Sequence, residues 1–358
     1  MNNRNISFKK RLALNVFREY RKTEISLHEL QYLFWESTHR CNLECIHCGS
    51  DCKQNSIIPD MPASDFLQIT EKIKTQYNPN DIMVVITGGE PLMRKDLEFC
   101  GTELTKQGYS WGMVTNGVLL TKQRLNNLLN AGLRSITVSL DGLEANHNWM
   151  RNKKCFGDVI KSIALLIEQD GLVFDIVTCV NQKNFTELNE IKELLINMGV
   201  KRWRLFTISP IGRAKSNPEL LLTNHQLMDL LEFIKKTRQE KQIETNYECE
   251  GFVGKYEMEV RDGYYFCRAG INIASVLLDG SISACPNIDS RYSQGNIYKN
   301  NFLDIWNNQF KIMRQRDWMK TGICEHCEVF KWCEGNGMHL RDFDSKNVLC
   351  CQYNMLNN

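Results

Sequence analysis

Between residues 31 and 215 the chain repeats one pattern six times: a short β-rich run, then a stretch with apolar residues at helical spacing. The runs are "QYLFWES" (31–37), "DIMVVITGG" (81–89), "YSWGMVTNG" (109–117), "RSITVSLDG" (134–142), "VFDIVTCVN" (173–181) and "KRWRLFTIS" (201–209). Four of them end in a Gly or Asn turn. Stretches such as "ASDFLQITEKIKTQY" and "TELNEIKELLINMG" carry the 3.6-residue period, with Ser64, Thr121 and Thr186 as expected helix caps. Six β–α units in series predict a parallel sheet with helices outside. Nearly continuous apolar strands predict that both faces are buried. Six units rather than eight predict an α/β fold, a partial (β/α)6 TIM-like barrel open on one side. Its chemistry is expected at the C-terminal strand ends.

The rest of the chain frames this core. Residues 1–30 form an expected N-terminal helical extension, residues 31–215 the barrel, and residues 216–248 a polar helical bridge. Residues 249–358 form a small cysteine-rich α+β unit. Eight of the fifteen cysteines fall in those last 110 residues, among short segments and turns. So little regular pattern predicts a small apolar core there, with metal supplying much of the stability. The start of the chain lacks the apolar segment of a secretory signal. It reads as a basic amphipathic helix, solvated and capping the main domain rather than lying on a membrane. No run of about 18 apolar residues occurs, so no transmembrane segment is expected. The balance of 44 basic and 42 acidic residues gives no push toward nucleic acid. A cytoplasmic chain is expected, whose reduced thiols read as metal ligands before disulfides.

The densest group lies after the first strand, in "ESTHRCNLECIHCGSDC" (36–52). Cys41, Cys45 and Cys48 are spaced C-x3-C-x2-C on one tight loop. Zinc sites favour C-x2-C pairs joined by a longer loop, whereas three crowded thiolates suit one cubic iron–sulfur cluster. Three ligands leave one iron able to chelate an amine and a carboxylate. With Cys52 as a fourth ligand the site would be closed. "CNLECIHC" resembles the signature of the radical S-adenosylmethionine (radical SAM) enzymes. The resemblance implies a [4Fe-4S] cluster bound by three cysteines, with SAM on the open iron, and makes Cys52 a bystander. It extends to "TGGEPL" (87–92), where Gly88, Gly89 and Glu90 would hold the SAM amino group, and to "SLDG" and "NWMR", which supply Ser139 and Arg151. In the related sulfatase-maturing enzymes these last two positions contact SAM. A guanidinium suits its carboxylate. His47 occupies the slot where the family often places an aromatic beside the adenine. "TISPIGRA" resembles the segment that completes the adenine side, with the contact between Ile208, Ser209 and Ile211.

The C-terminal cysteines resemble the SPASM extension of radical SAM enzymes that modify peptides and proteins. The resemblance implies an outer auxiliary [4Fe-4S] cluster on Cys324, Cys327, Cys333 and either Cys350 or Cys351, with "CQY" favouring Cys351. A four-thiolate zinc site is the competing reading of that set. An inner auxiliary cluster would use Cys267 and Cys285, but two expected cysteines are missing: the positions hold Arg261 and Gly337. Cys249 or Cys350 could substitute; otherwise that cluster is absent or has an open iron. At least one auxiliary cluster is therefore expected, and two if a substitute serves. Cys100, Cys155 and Cys179 read as buried small apolar side chains. "EGNGMHLRD" (334–342) reads as a wrap around a cluster rather than as a channel lining.

Together these features imply reductive SAM cleavage and hydrogen abstraction from a peptide or protein, ending in a crosslink, an epimerisation or an oxidation. The electron would come from an external reductant of flavodoxin or ferredoxin type. About 30 residues before the first strand leave no room for a separate leader-binding domain. Sulfatase-maturing enzymes place their proposed base right after the residue matching Cys285; Pro286 there argues against formylglycine formation. The alternative from another class is an electron-transfer protein with a closed first cluster. The residue that does the substrate chemistry is not indicated.

Overall fold

The computed structural model describes residues 5–248 and 250–357. All six expected strands form: β1 Tyr32–Glu36, β2 Met83–Thr87, β3 Ser110–Thr115, β4 Leu133–Ser139, β5 Val173–Val180 and β6 Arg202–Thr207. They pair in parallel in chain order. Helices α1 Phe8–Leu27, α2 Ala63–Ile73, α3 Leu97–Lys106, α4 Lys122–Asn130, α5 Glu144–Arg151, α6 Phe156–Ile167, α7 Leu188–Met198 and α8 Asn224–Glu240 complete the barrel and its flanks.

The sheet is wider than six strands. Residues 216–248 hold α8 and then β7 Glu244–Tyr247, which adds in parallel to β6. Its short "ETNY" sequence carries no run long enough to read as a strand. On the other edge β8 Ile273–Val276, from the cysteine-rich region, pairs in parallel with β1. The antiparallel strands β9 Ser281–Ser283 and β10 Gly295–Asn296 follow. The order β10-β9-β8-β1-β2-β3-β4-β5-β6-β7 is an open, ten-stranded sheet.

The core follows from the strand sequences. Trp35, Trp111 and Trp203 are fully buried, one each in β1, β3 and β6. Trp35 stacks on Phe66 of α2 at 4.4 Å and 2° between planes, which fixes that helix over β1. The expectation of a small C-terminal core is corrected. Tyr292, Phe302, Trp306, Phe310 and Met319 belong to the same continuous apolar core as the barrel. The reason is β8: joined to β1, it brings its neighbours onto the barrel wall.

Two more expectations need correcting. Thr121 caps α4 through Arg124 N–H, but α2 starts after Pro62 and α7 after Glu187, so Ser64 and Thr186 are not their caps. Helix α1 does not cap the barrel. It lies on the C-terminal region, where Leu14 packs with Phe252, Trp332 and Tyr353. Arg21 donates to the carbonyls of Trp332 and Lys331 and pairs with Glu334 at 2.8 Å. A buried guanidinium needs such partners. No helix among the described residues is long and apolar enough to cross a membrane.

Candidate active site at the C-terminal strand ends

The loop after β1 carries Cys41, Cys45, Cys48 and Cys52 into one thiol group with Cys155 beside it. Hydrogen bonds from three directions hold the loop. Cys41 N–H donates to Lys53 O at 2.9 Å, Ile46 N–H to Met150 O at 3.0 Å, and Arg213 Nε to Cys45 O at 2.7 Å. Arg213 follows β6 inside "TISPIGRA", two residues past Ile211. Gly212 lies at φ 54°, and a Cβ there would stand 2.4 Å from Cys48 O. Only glycine lets the backbones meet so closely.

Each cysteine of the triad has its own polar neighbour. Asn116 Nδ2, from the turn after β3, stands 3.9 Å from Cys41 Sγ. Arg151 Nη1, from the end of α5, stands 3.5 Å from Cys45 Sγ. Cys52 is 4% exposed, and its neighbouring thiol holds that of Cys48 below the usual range. Burial pushes the Cys41 thiol up to about 12.

The GGE turn packs directly against this loop. Gly88 has φ 135°, and a Cβ on it would fall 2.2 Å from Thr38 O; one on Gly89 would fall 2.3 Å from Arg40 O. Gly89 N–H and Glu90 N–H donate to those same carbonyls at 2.6 and 2.9 Å. The Glu90 carboxylate turns inward and accepts from Thr115 Oγ1, Asn116 N–H and Leu92 N–H at 2.7, 2.8 and 3.0 Å. It ties the turn after β2 to the turn after β3, so its side chain positions the site rather than facing it.

Arg151 is 7% exposed and pairs with Asp141 at 2.5 Å. Asp141, in the SLDG turn after β4, is fully buried and accepts from Cys179 N–H at 2.9 Å. Burial pushes its carboxyl up, but Arg151 and the imidazoles of His47 and His147 hold it net below its usual value. His47 Nδ1 and Arg151 Nε are buried without a hydrogen-bond partner. Burial holds the His47 imidazole down at about 4, hence neutral. The ligand atoms of His47, Asp141 and Cys179 lie within 4.8 Å of one another. Ser139 is half-buried and is the last residue of β4. Ile208 packs with Met150 and Ala214, and Ser209 O accepts from Ile211 N–H at 2.8 Å. Ile211 reaches Gly49, whose Cβ position is 3.4 Å from Ile211 Cδ1. Asp141, Asn116 and Arg213 escaped the sequence reading. The aspartate stands inside the quoted SLDG, and the asparagine inside TNG, so the signal was present.

In the C-terminal region Cys351 lies close to Cys324, Cys327 and Cys333. Cys350 points the other way, with Sγ 3.6 Å from Met355 Sδ and Glu250 nearby. Adjacent residues of an extended chain face opposite sides, which separates the two. Cys267 and Cys285 neighbour each other. At Gly337 a Cβ would stand 2.6 Å from His339 Cε1, so the imidazole fills the room a cysteine would need. Arg261 lies against the rings of Tyr247 and Tyr265 and donates to Gly251 O. Cys249 lies outside the described residues. A cavity of about 700 Å³ opens at the N-terminal strand ends beside Gln31 and Met83, remote from all these groups.

The model of the radical SAM superfamily matches residues 35–195, and that of the SPASM iron–sulfur cluster-binding domain matches residues 267–328. The chain carries a radical SAM domain and a SPASM domain. It is thus of an enzyme family whose cofactors are a [4Fe-4S] cluster with SAM, and whose SPASM domain binds auxiliary iron–sulfur clusters. The chain is similar to an AdoMet-dependent heme synthase of Oleidesulfovibrio alaskensis, 24% identical over 84% of this chain and 81% of the relative. It is 27% identical to a PqqA peptide cyclase of Rhizobium meliloti, over 82% and 78%. Streptococcus suis SuiB bound to precursor peptide SuiA shares the fold at TM-score 0.70 and 19% identity, covering 97% of this chain and 82% of that one.

The residues fit the family's groups. The first site offers three clustered thiols, two glycines that admit backbone contact, and buried polar atoms on His47 and Arg151 that await a partner. The second offers four neighbouring thiols.

Proposed function

We propose that this enzyme uses Cys41, Cys45 and Cys48 to hold the SAM-binding [4Fe-4S] cluster and acts on a peptide or protein. When bound, the reduced cluster and SAM supply a 5′-deoxyadenosyl radical that removes a hydrogen atom from the substrate. The chain's residues bind and orient. Gly88 and Gly89 present backbone to the SAM amino group, and Arg151 its guanidinium to the carboxylate. His47, Ser139 and the Ile208–Ile211 segment line the remainder. Asp141 keeps Arg151 charged and aimed. Cys324, Cys327, Cys333 and Cys351 hold an outer auxiliary cluster. Cys267 and Cys285 mark an inner site, for which Cys249 or Cys350 would have to supply further thiolates.

The contact between Arg151 and Cys45 carries this reading. It joins the end of α5 to the thiol loop, so the carboxylate-binding group and the open iron share one pocket. The peptide assignment rests on the likeness to a peptide cyclase and to SuiB, whose structure holds a precursor peptide. Pro286 after Cys285 speaks against formylglycine formation. Anaerobic reconstitution with iron and sulfide, then SAM and a flavodoxin-type reductant, should release 5′-deoxyadenosine, and Cys41→Ala, Cys45→Ala or Cys48→Ala should abolish it. No release by the native chain would end the enzymatic reading. Deuterium transfer from a labelled peptide into 5′-deoxyadenosine tests the substrate class; transfer from a porphyrin instead, as the heme-synthase likeness would have it, would replace it.

A further inference from the structure

Arg341 lies beyond the matched SPASM segment and is 2% exposed. Its guanidinium is locked by a fork of carbonyls. Nε and Nη2 donate to Gly335 O at 2.9 and 2.8 Å, and Nη1 to Lys346 O at 2.9 Å. The remaining contact is Nη2 to Cys324 Sγ at 3.1 Å. The loop is shaped to allow this: Glu334, Gly335 and Asn336 run through positive φ of 49°, 80° and 75°. A Cβ at Gly335 would stand 2.5 Å from Arg341 Nη2. Glycine adopts this region freely, but Glu334 and Asn336 do so at a cost and persist there only where their surroundings hold them.

A buried cation needs an anion. Nearby carboxylates are engaged elsewhere: Glu334 with Arg21, Asp342 with Ser345, Asp344 with Arg291. Among the described residues no carboxylate forms an ion pair with Arg341. The sulfur of Cys324 is the group in contact that can carry the opposing charge. In four-thiolate iron–sulfur clusters, charge and hydrogen bonds to sulfur set the reduction potential.

We propose that Arg341 sets the reduction potential of the outer auxiliary cluster by donating an N–H···S hydrogen bond and a fixed positive charge to Cys324. This rests on the reading that Cys324, Cys327, Cys333 and Cys351 hold a [4Fe-4S] cluster. The step it governs is the entry of one electron from a flavodoxin-type reductant. The cluster gains one negative charge, Arg341 stays protonated, and no proton moves. Fixed positive charge favours the more anionic, reduced form, so the native cluster is the more easily reduced one.

The test is an EPR-monitored redox titration of the reconstituted full chain, with SAM present and dithionite as reductant. Iron content is measured in parallel. A signal that changes on SAM addition reports the first cluster, and one that does not reports the outer cluster. Arg341→Gln should make reduction of the SAM-insensitive signal roughly tenfold less favourable, about 59 mV downward for a one-electron couple. Arg341→Lys keeps the charge without the fork and should fall between. The SAM-sensitive midpoint should not move. Equal midpoints in all three proteins would overturn the proposal. So would loss of the outer cluster's iron in both variants, which would make Arg341 a prop of the loop. Zinc in that site, or no SAM-insensitive iron signal in the native chain, would remove the reading beneath it and the proposal together.

Discussion

At the residue scale, Arg151 does two things that experiment can separate. It pairs with buried Asp141, and the proposed function has it bind the SAM carboxylate. Arg151→Ala leaves Asp141 buried and unpaired, so stability measured by urea unfolding should fall by about 3 kcal/mol. Adding Asp141→Asn removes the stranded charge and should recover most of that loss. It should not recover SAM binding, which should stay weakened by roughly tenfold or more in a calorimetric titration. Recovery of both by the double variant would contradict the assigned role. Glu250 gives a pH test. It is 4% exposed, with Thr207 as its hydrogen-bond partner, and burial pushes its carboxyl up to about 8. A folded-state pKa above the unfolded one means that its contribution is fully present below the unfolded value, near 4.5. It is lost as pH rises toward 8. Glu250→Gln should therefore leave the Tm unchanged at pH 4.5 and raise it increasingly between pH 5 and 8. A Tm difference flat with pH would refute this.

At the scale of elements, buried Arg21, an apolar contact at Leu14, the Lys10–Glu259 ion pair and the Trp332 Nε1–H bond to Asn15 Oδ1 hold α1. Arg21→Ala strands the Trp332 and Lys331 carbonyls and Glu334. The cost should be about 3 kcal/mol, and amide exchange should rise along α1 while β2 to β5 stay protected. Uniform exchange would mean that α1 is part of the barrel's cooperative unit. The GGE turn makes a second prediction. Gly88→Ala meets both a φ of 135° and a carbonyl 2.2 Å from the new carbon. The turn must move off the thiol loop, and SAM cleavage should fall at least roughly 100-fold, while far-UV circular dichroism stays native.

At the scale of the whole molecule, the sheet joins what the chain separates. β8 comes some 240 residues after β1 yet completes its other edge. Residues 249–358 should therefore not fold stably without the barrel. The cysteine arrangement predicts about eight irons per reconstituted chain, about four for each of two clusters. About four would remove the outer cluster, and about twelve would mean that the inner site finds ligands beyond Cys267 and Cys285.

The division between sequence and tertiary structure follows from range. The six strands, the thiol triad, GGE and SLDG were legible because their signals are local: a two-residue period, a spacing of cysteines, a glycine where backbone approaches backbone. β7 was not, since four residues of "ETNY" become a strand only because β6 leaves an edge to pair with. Nor was the seat of α1, whose apolar and basic residues suit several surfaces until Trp332 and Glu334 are in place. The opposite aims of Cys350 and Cys351, and the imidazole that fills the room at Gly337, are decided by packing between segments far apart in sequence. Arg341 is the clearest case. "EGNGMHLRD" reads as a wrap around a cluster, but nothing in it singles out Arg341, whose meaning comes from a sulfur 17 positions away and from the carboxylates that do not reach it.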